Sequence, residues 1–155
     1  MSIADGFKSE LEKLAGDDFD NLKYILKHKY HIYKGGREID VPRMQLLKHD
    51  LSKLSPSEWG PYKRYWFGEK TPETKKEFRH AVESSHYKKN PHHPAHWKGK
   101  PMPMDYKLEM MADWYSAGRS QGTHRFKSFK SWWKGNRSSL DIDQATKAEV
   151  DKRLK

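Results

Sequence analysis

Residues 46–53 read Leu46-Leu47-Lys48-His49-Asp50-Leu51-Ser52-Lys53, and the placement of the His49-Asp50 pair governs how the rest of the chain is read. Pro42 suits the first turn of a helix, so the spacing predicts one running to about Leu51 or Leu54. Adjacent residues on a helix point roughly 100° apart. His49 and Asp50 can still meet one ion if both lean toward a shared cavity. Working outward, Gly and Pro cut the remainder into further helices. Upstream, Ile3–Leu14 is expected to end at Gly16, and Asp17 or Asp18 to cap a helix over Phe19–Tyr33 that Gly35-Gly36 closes. Downstream, Ser55-Pro56-Ser57-Glu58 and Thr71-Pro72-Glu73-Thr74 both have the form of a helix start. The first opens a short aromatic helix, the second a long one to about Lys89. Pro91–Pro103 reads as a loop, and Met104–Ala117 as a helix stopped at Gly118. A Trp-bearing segment near Phe129–Trp133 follows, then an exposed helix from about Asp143. Few stretches alternate as a strand would, so the expected class is all-α.

The 155 residues suit a single domain, with a core over about 19–120 and a helical extension over 121–155. Only 34% of residues are hydrophobic, but the 13% aromatic share supplies large buried areas and argues against disorder. The absence of Cys excludes disulfides, thiolate metal sites and cysteine nucleophiles. Residues 1–13 carry charges where a signal peptide would be apolar, and no stretch is long enough to span a bilayer. The expected location is the cytoplasm, that of a host cell if the chain is phage-encoded. A formal charge of +10 favours anionic partners, either a phosphate-bearing small molecule or nucleic acid.

Nine His in so short a chain point to metal chemistry. His28 lies on the second expected helix, at the edge of a face made by Leu22, Ile25, Lys29 and Ile32. Asp113 shares a helical face with Tyr106, Met110 and Ala117. A carboxylate in such a stripe is costly unless it meets a cation, either a metal or an Arg or Lys from another helix. Glu109 stands one turn before Asp113 and can reach the same cavity. His86, Asn90, His92, His93 and His96 form a second group, the last three on a loop that Pro91 and Pro94 stiffen. Imidazole and carboxylate together suit Mn, Fe, Co, Ni or Zn better than Mg. No Gly-rich phosphate loop and no nucleophile elbow is present.

His28, then His49-Asp50, then Asp113, in that order on helices, resemble the HD superfamily of metal-dependent phosphohydrolases. His49-Asp50-Leu51-Ser52-Lys53 is similar to the HD-x-x-K signature of members that include cyclic-dinucleotide phosphodiesterases and an endoribonuclease. That resemblance implies a compact helical bundle in which His28, His49, Asp50 and Asp113 hold one divalent transition-metal ion. It also implies that His86, His92 or His93 holds a second. More closely, the Lys27-His28 helix and the segments Leu46–Tyr62, Asn90–Trp97 and Tyr106–Arg119 resemble a family from phages and bacteria. This second likeness bears on the site residues more than on a reaction.

The resemblance implies hydrolysis of a nucleotide or other phosphoester by a metal-activated water. Lys53 would then steady the phosphate or protonate a leaving oxygen, and Glu109 or a non-ligating His would act as base. Arg119, Asn90 and His96 are candidate substrate contacts, Arg119 because its fork matches phosphate oxygens. Two other readings stand beside this one. A di-iron oxygenase would use the same ligands with oxygen. A basic nucleic-acid or protein-binding module would keep only a structural ion and bind with steep salt dependence. Trp97, Trp114 and Tyr62 are either core or platforms for a base. The oligomeric state is open.

Overall fold

The computed structural model describes the backbone of residues 3–155 and the side chains of residues 16–155. The fold is all-α, with no strand among the described residues. No helix of it is long and apolar enough to cross a membrane.

The first two expected helices are one. Helix α1 runs unbroken over Ile3–Glu38. A glycine costs a helix only about 1 kcal/mol relative to alanine, too little to break one whose face is buried. Gly16 has no atom within 4 Å of where its Cβ would stand, so it neither caps nor packs. Gly35 and Gly36, expected as a stop, are close-approach positions inside the helix. A Cβ on Gly35 would lie 2.7 Å from Tyr115 Cδ1, and one on Gly36 would collide with Leu46 Cδ2. The buried residues Asn21, Ile25, His28, Ile32, Gly35 and Gly36 recur every three or four positions. His28 therefore sits in the middle of the buried stripe of α1, while Leu22 is exposed.

Contacts divide the chain into two compact units. One contains the chain up to Leu26 together with Leu51–Lys89, the other Lys27–Asp50 together with Asn90–Lys155.

In the first unit, a 3-10 turn over Leu51–Leu54 leads into α3 (Pro56–Phe67) and α4 (Pro72–Ala81). Thr71 stands at the expected start of α4, and its side chain and that of Thr74 cap reciprocally. Ser55 does occupy the N-cap of α3, but its hydroxyl donates to the Ser52 carbonyl instead of capping. The chain stays helical to Lys89, as expected, through a π-helical turn at Val82–His86 and the short α5, Tyr87–Lys89. The aromatic residues pack among themselves, Tyr65 stacked on Phe78 at 4.1 Å and Tyr62 edge-on to the same ring at 4.9 Å. Tyr62 is therefore core.

In the second unit, α2 (Arg43–Lys48), α6 (Met104–Gln121), α7 (Phe129–Asn136) and α8 (Gln144–Arg153) pack with the C-terminal part of α1. The core holds Ile32, Ile39 and Leu46 together with Leu108, Met111 and Tyr115, and also Phe129, Trp132, Trp133 and Val150. Helix α6 passes Gly118 and stops at Gly122, whose φ of 76° is the left-handed conformation that ends helices. Helix α8 begins at Asp143 as expected, with its carboxylate accepting from the Thr146 N–H. It is not exposed, however, because Val150 is wholly buried. The Trp133 indole donates to Asp151 at 2.9 Å, which ties α7 to α8 and makes Trp132-Trp133 a docking element for the C-terminal segment.

Candidate metal centre

Five histidine and aspartate residues of the second unit gather at one place. His28 comes from the buried face of α1 and Asp113 from α6. His49 and Asp50 come from the end of α2, and His92 from the loop that follows Asn90.

His49 and Asp50 are not on a helix. Helix α2 stops at Lys48. His49 is its C-cap, with φ −48° and ψ 124°, and Asp50 has φ 55°. The left-handed region is disfavoured for residues with a Cβ, but aspartate tolerates it better than most. The turn replaces the 100° divergence of neighbouring helical residues with a shared direction. His49 Nε2 lies 3.4 Å from Asp50 Oδ2. The Lys29 ammonium donates to the carbonyls of Leu47 and His49, both at 2.6 Å, and so ties this turn to α1.

The donor atoms converge. His28 Nε2 is 3.2 Å from His49 Nε2, 3.0 Å from Asp113 Oδ1 and 3.8 Å from Asp50 Oδ2. His49 Nε2 is 3.3 Å from the same Asp113 oxygen. Donors held about 2.1 Å from a central ion stand roughly 3.0 to 3.4 Å apart in octahedral or tetrahedral arrangements. Four of these five edges fall at or near that range, so His28, His49, Asp50 and Asp113 could hold a metal ion. His92 Nε2 approaches the other side of both carboxylates, 3.4 Å from Asp50 Oδ1 and 3.8 Å from Asp113 Oδ2. Ligand atoms of Asp50, His92 and His93 also lie within 4.8 Å of one another. His92 is fully buried and His93, its ring 4.1 Å away, is half-buried.

Glu109 lies behind the histidines. Its Oε1 is 2.8 Å from His49 Nδ1 and 3.4 Å from His92 Nδ1. With Nδ1–H of each ring donating to this carboxylate, Nε2 of each is the nitrogen left for an ion. Gln45 holds the other oxygen, donating to Glu109 Oε2 at 2.5 Å. The geometry thus engages both oxygens of a residue expected to act as a base. Gln45 escaped the sequence reading, although it stands one turn before His49, where an orienting residue would be sought.

Three carboxylates meet three imidazoles here, and the titration of His49, Glu109 and Asp113 reflects that balance. Burial opposes charge on His49, but Asp50 beside it, with Asp113 and Glu109, outweighs burial and raises its pKa to about 10. Burial likewise disfavours the ionised Glu109, yet the His49 and His92 rings bring it down to about 2. Asp113 is held well below the usual carboxylate range, its burial overcome by His28 and His49. A site that keeps Glu109 and Asp113 ionised is one that favours a cation.

The loop that carries His92 is fastened from within. The His93 N–H donates to the Asn90 carbonyl at 3.2 Å, and the Trp97 indole donates to the Pro91 carbonyl at 2.7 Å. A 3-10 turn over Pro94–Trp97 completes it. Asn90 is buried, whereas His96 is half-buried against Trp97, their rings 5.2 Å apart. Trp97 also meets Tyr106 at 5.6 Å, which makes it a packing residue, and Trp114 is exposed. Arg119 is half-buried on α6. Burial and then the Arg119 charge hold the His31 imidazole below its ordinary pKa.

Two of the expected residues belong to the first unit. Lys53 stands in the 3-10 turn with its ammonium 5.3 Å from the centre of the Tyr62 ring. His86 lies in the π-helical turn, its Nδ1 2.9 Å from Glu58 Oε2. Glu58 was read only as an acidic residue in a first helical turn. It is fully buried and also accepts from Ser85 and Ser52. π-helical turns recur at functional positions, and a carboxylate on Nδ1 is the usual support of a histidine that works through Nε2.

No curated protein and no solved structure matches this chain. A family model does, over residues 17–155, nearly the whole chain. The chain belongs to the family of unknown function DUF5662.

Proposed function

We propose that this protein is a metal-dependent phosphohydrolase of the HD type, acting on a nucleotide or another phosphoester. The observation that carries the proposal is the convergence of His28 Nε2, His49 Nε2, Asp50 Oδ2 and Asp113 Oδ1, at the spacing of a coordination shell. His28, His49, Asp50 and Asp113 would hold the ion, with Glu109 and Gln45 keeping the His49 and His92 rings in the tautomer that offers Nε2. A divalent transition-metal ion in such a site polarises a phosphoryl oxygen and lowers the pKa of a bound water. Burial of the donors excludes bulk water. Asp113, whose side chain is 15% exposed, is the most open of the four and gives the direction from which a phosphate would enter. The net charge of +10 favours an anionic substrate.

The test is elemental analysis of protein purified without chelator, beside Asp50→Ala, followed by a screen of phosphomonoesters, phosphodiesters and nucleotides. The expected result is bound Mn, Fe, Co, Ni or Zn that the folded variant lacks, with phosphate release that a chelator abolishes. Iron together with oxygen uptake and no phosphate release would replace the hydrolase with an oxygenase. Protein that takes up no ion even when Mn or Fe is supplied would overturn the metal reading. Salt-sensitive nucleic-acid binding would then be the activity to pursue.

A further inference from the structure

From Trp114 to Leu140 the chain has no acidic residue, although 21 Asp and Glu are spread over the rest. The same stretch carries Arg119, Arg125, Lys127, Lys130, Lys134 and Arg137. Helix α7 lies within it and separates its charges from its core. Phe129, Trp132 and Trp133 are buried, whereas Lys130 and Lys134 are exposed and Arg137 is half-buried. Steps of four and three residues, at about 100° each, place Lys130, Lys134 and Arg137 within about 60° of one another, on one edge of the helix. Lys127, just before the Ser128 cap, is exposed as well.

A cavity of about 340 Å³ opens along that edge, between α7 and α8, lined by Lys130, Trp133, Lys134, Arg137, Asp151 and Leu154. Trp133 and Leu154 give it an apolar wall, and three cations stand around it. Two carboxylates reach α7, and both are engaged. Glu38 accepts from the N–H groups of Phe129 and Lys130 at 2.9 and 3.0 Å. Asp151 accepts from the Trp133 indole at 2.9 Å and from the Arg137 guanidinium at 2.7 to 3.0 Å. Lys130 donates to the Leu154 carbonyl at 2.7 Å, a neutral partner that leaves its charge uncompensated. Among the described residues, Lys127 and Lys134 pair with no carboxylate.

We infer that this edge and its cavity hold a single strand of nucleic acid. A row of like charges suits a partner whose anions repeat evenly, as backbone phosphates do. An acidic protein surface would bring cations of its own, and neither carboxylate at α7 is free to receive them. The cavity decides for unpaired bases. An apolar wall beside a cationic row is the combination that holds a base next to its backbone, whereas a duplex keeps its bases stacked inside. The inference is independent of the metal reading, since none of the grouped metal donors lies on α7 or α8.

Fluorescence anisotropy tests it, with a labelled single strand of about 15 nucleotides titrated by the full chain in the presence of chelator. Phosphate contacts from Lys127, Lys130 and Lys134 should give log Kobs a slope of about −2 against log salt concentration, at about −0.7 per contact. Lys127→Gln combined with Lys134→Gln should bring that slope to about −0.7 and weaken binding at least about tenfold in about 50 mM salt. Both side chains are exposed, so circular dichroism should not change. Lys75→Gln combined with Lys76→Gln removes the same charge from exposed positions of α4 and should alter affinity less than about twofold. Equal losses from the two double variants would overturn the inference, because binding would then follow net charge alone. Tighter binding of the matching duplex would also overturn it, as would displacement of the strand by polyglutamate at equal charge, which would favour an acidic protein. No binding at about 100 µM protein in the same salt would do so too. With chelator present throughout, each of these failures leaves the metal reading untouched.

Discussion

Two buried groups of carboxylate and histidine can be compared in this chain. Around Glu58, polar atoms pair off: Ser52 donates at 2.9 Å, Ser85 at 2.8 Å and His86 at 2.9 Å, to a carboxylate with no exposed surface. Around Asp113 the polar atoms converge instead. Nε2 atoms of two different histidines lie 3.2 Å apart, and both approach a single oxygen, at 3.0 and 3.3 Å. A donor–acceptor network is satisfied by pairing. Lone pairs directed at a common point repel one another unless a proton or a cation lies between them. Both groups join a carboxylate to histidine, so that pairing alone does not say which of them could hold an ion. The direction of the atoms does.

The largest effect should come from breaking the paired group. Glu58→Ala leaves Ser52, Ser85 and His86 without their shared acceptor and should cost about 3–5 kcal/mol, the usual penalty for removing one member of a buried pair. Chemical denaturation with and without chelator checks it, and a loss well under 1 kcal/mol would show that the network is dispensable. The converging group should respond to metal. An ion supplied at about 1,000 times its Kd should stabilise the chain by about 4 kcal/mol, and Asp113→Asn should remove that increment. Thermal melts of both proteins with added Mn, Co or Zn give the comparison; equal shifts would mean that the ion binds elsewhere.

A finer test addresses Glu109. Glu109→Gln keeps the shape but no longer fixes Nδ1–H on both His49 and His92. Metal affinity should fall about 10- to 100-fold with little change in fold. A competition titration with a chromogenic chelator measures it, and unaltered affinity would remove Glu109 from the site. The smallest effect lies far from either group. Asp143 caps α8, and its carboxyl is held below the usual carboxylate range by Lys107 and then by Thr146. Its folded pKa lies below its unfolded value, so its contribution is complete above about pH 4 and is lost as the pH falls through the folded value. Asp143→Ala should cost about 1 kcal/mol at neutral pH, and less in acid. A difference between wild type and variant that grew on acidification would contradict this assignment.

Much of the site was legible as residue types. His28, His49, Asp50 and Asp113 were marked by a His-Asp pair with a downstream acidic residue on an apolar face, and the fold brings all four together. His92 was found with its neighbour His93 because both lie between stiffening prolines. Helix boundaries were less legible wherever a glycine carried two meanings. Gly35 and Gly36 have the chemistry of a helix stop, yet they lie inside α1 because Tyr115 and Leu46 need the space. The C-terminal helix is expected to be exposed because its sequence is largely charged, but Val150, with Thr146 and Lys147, is buried on one side of it.

What the sequence determined by itself was local: an all-α chain, the helix starts at Pro56, Pro72 and the residue after Asp143, a basic surface, and a supply of nitrogen and oxygen donors without thiols. These follow from backbone preferences and composition, which act over a few residues. The tertiary structure alone decided which nitrogen of each histidine faces inward, the left-handed turn that aims Asp50, and the retreat of Glu109 behind the rings. His28, His49 and Asp113 are separated by 21 and 64 positions. Only the packing of α1 against α2 and α6 brings atoms so distant in sequence to within about 3 Å, the range at which hydrogen-bond direction and coordination are set.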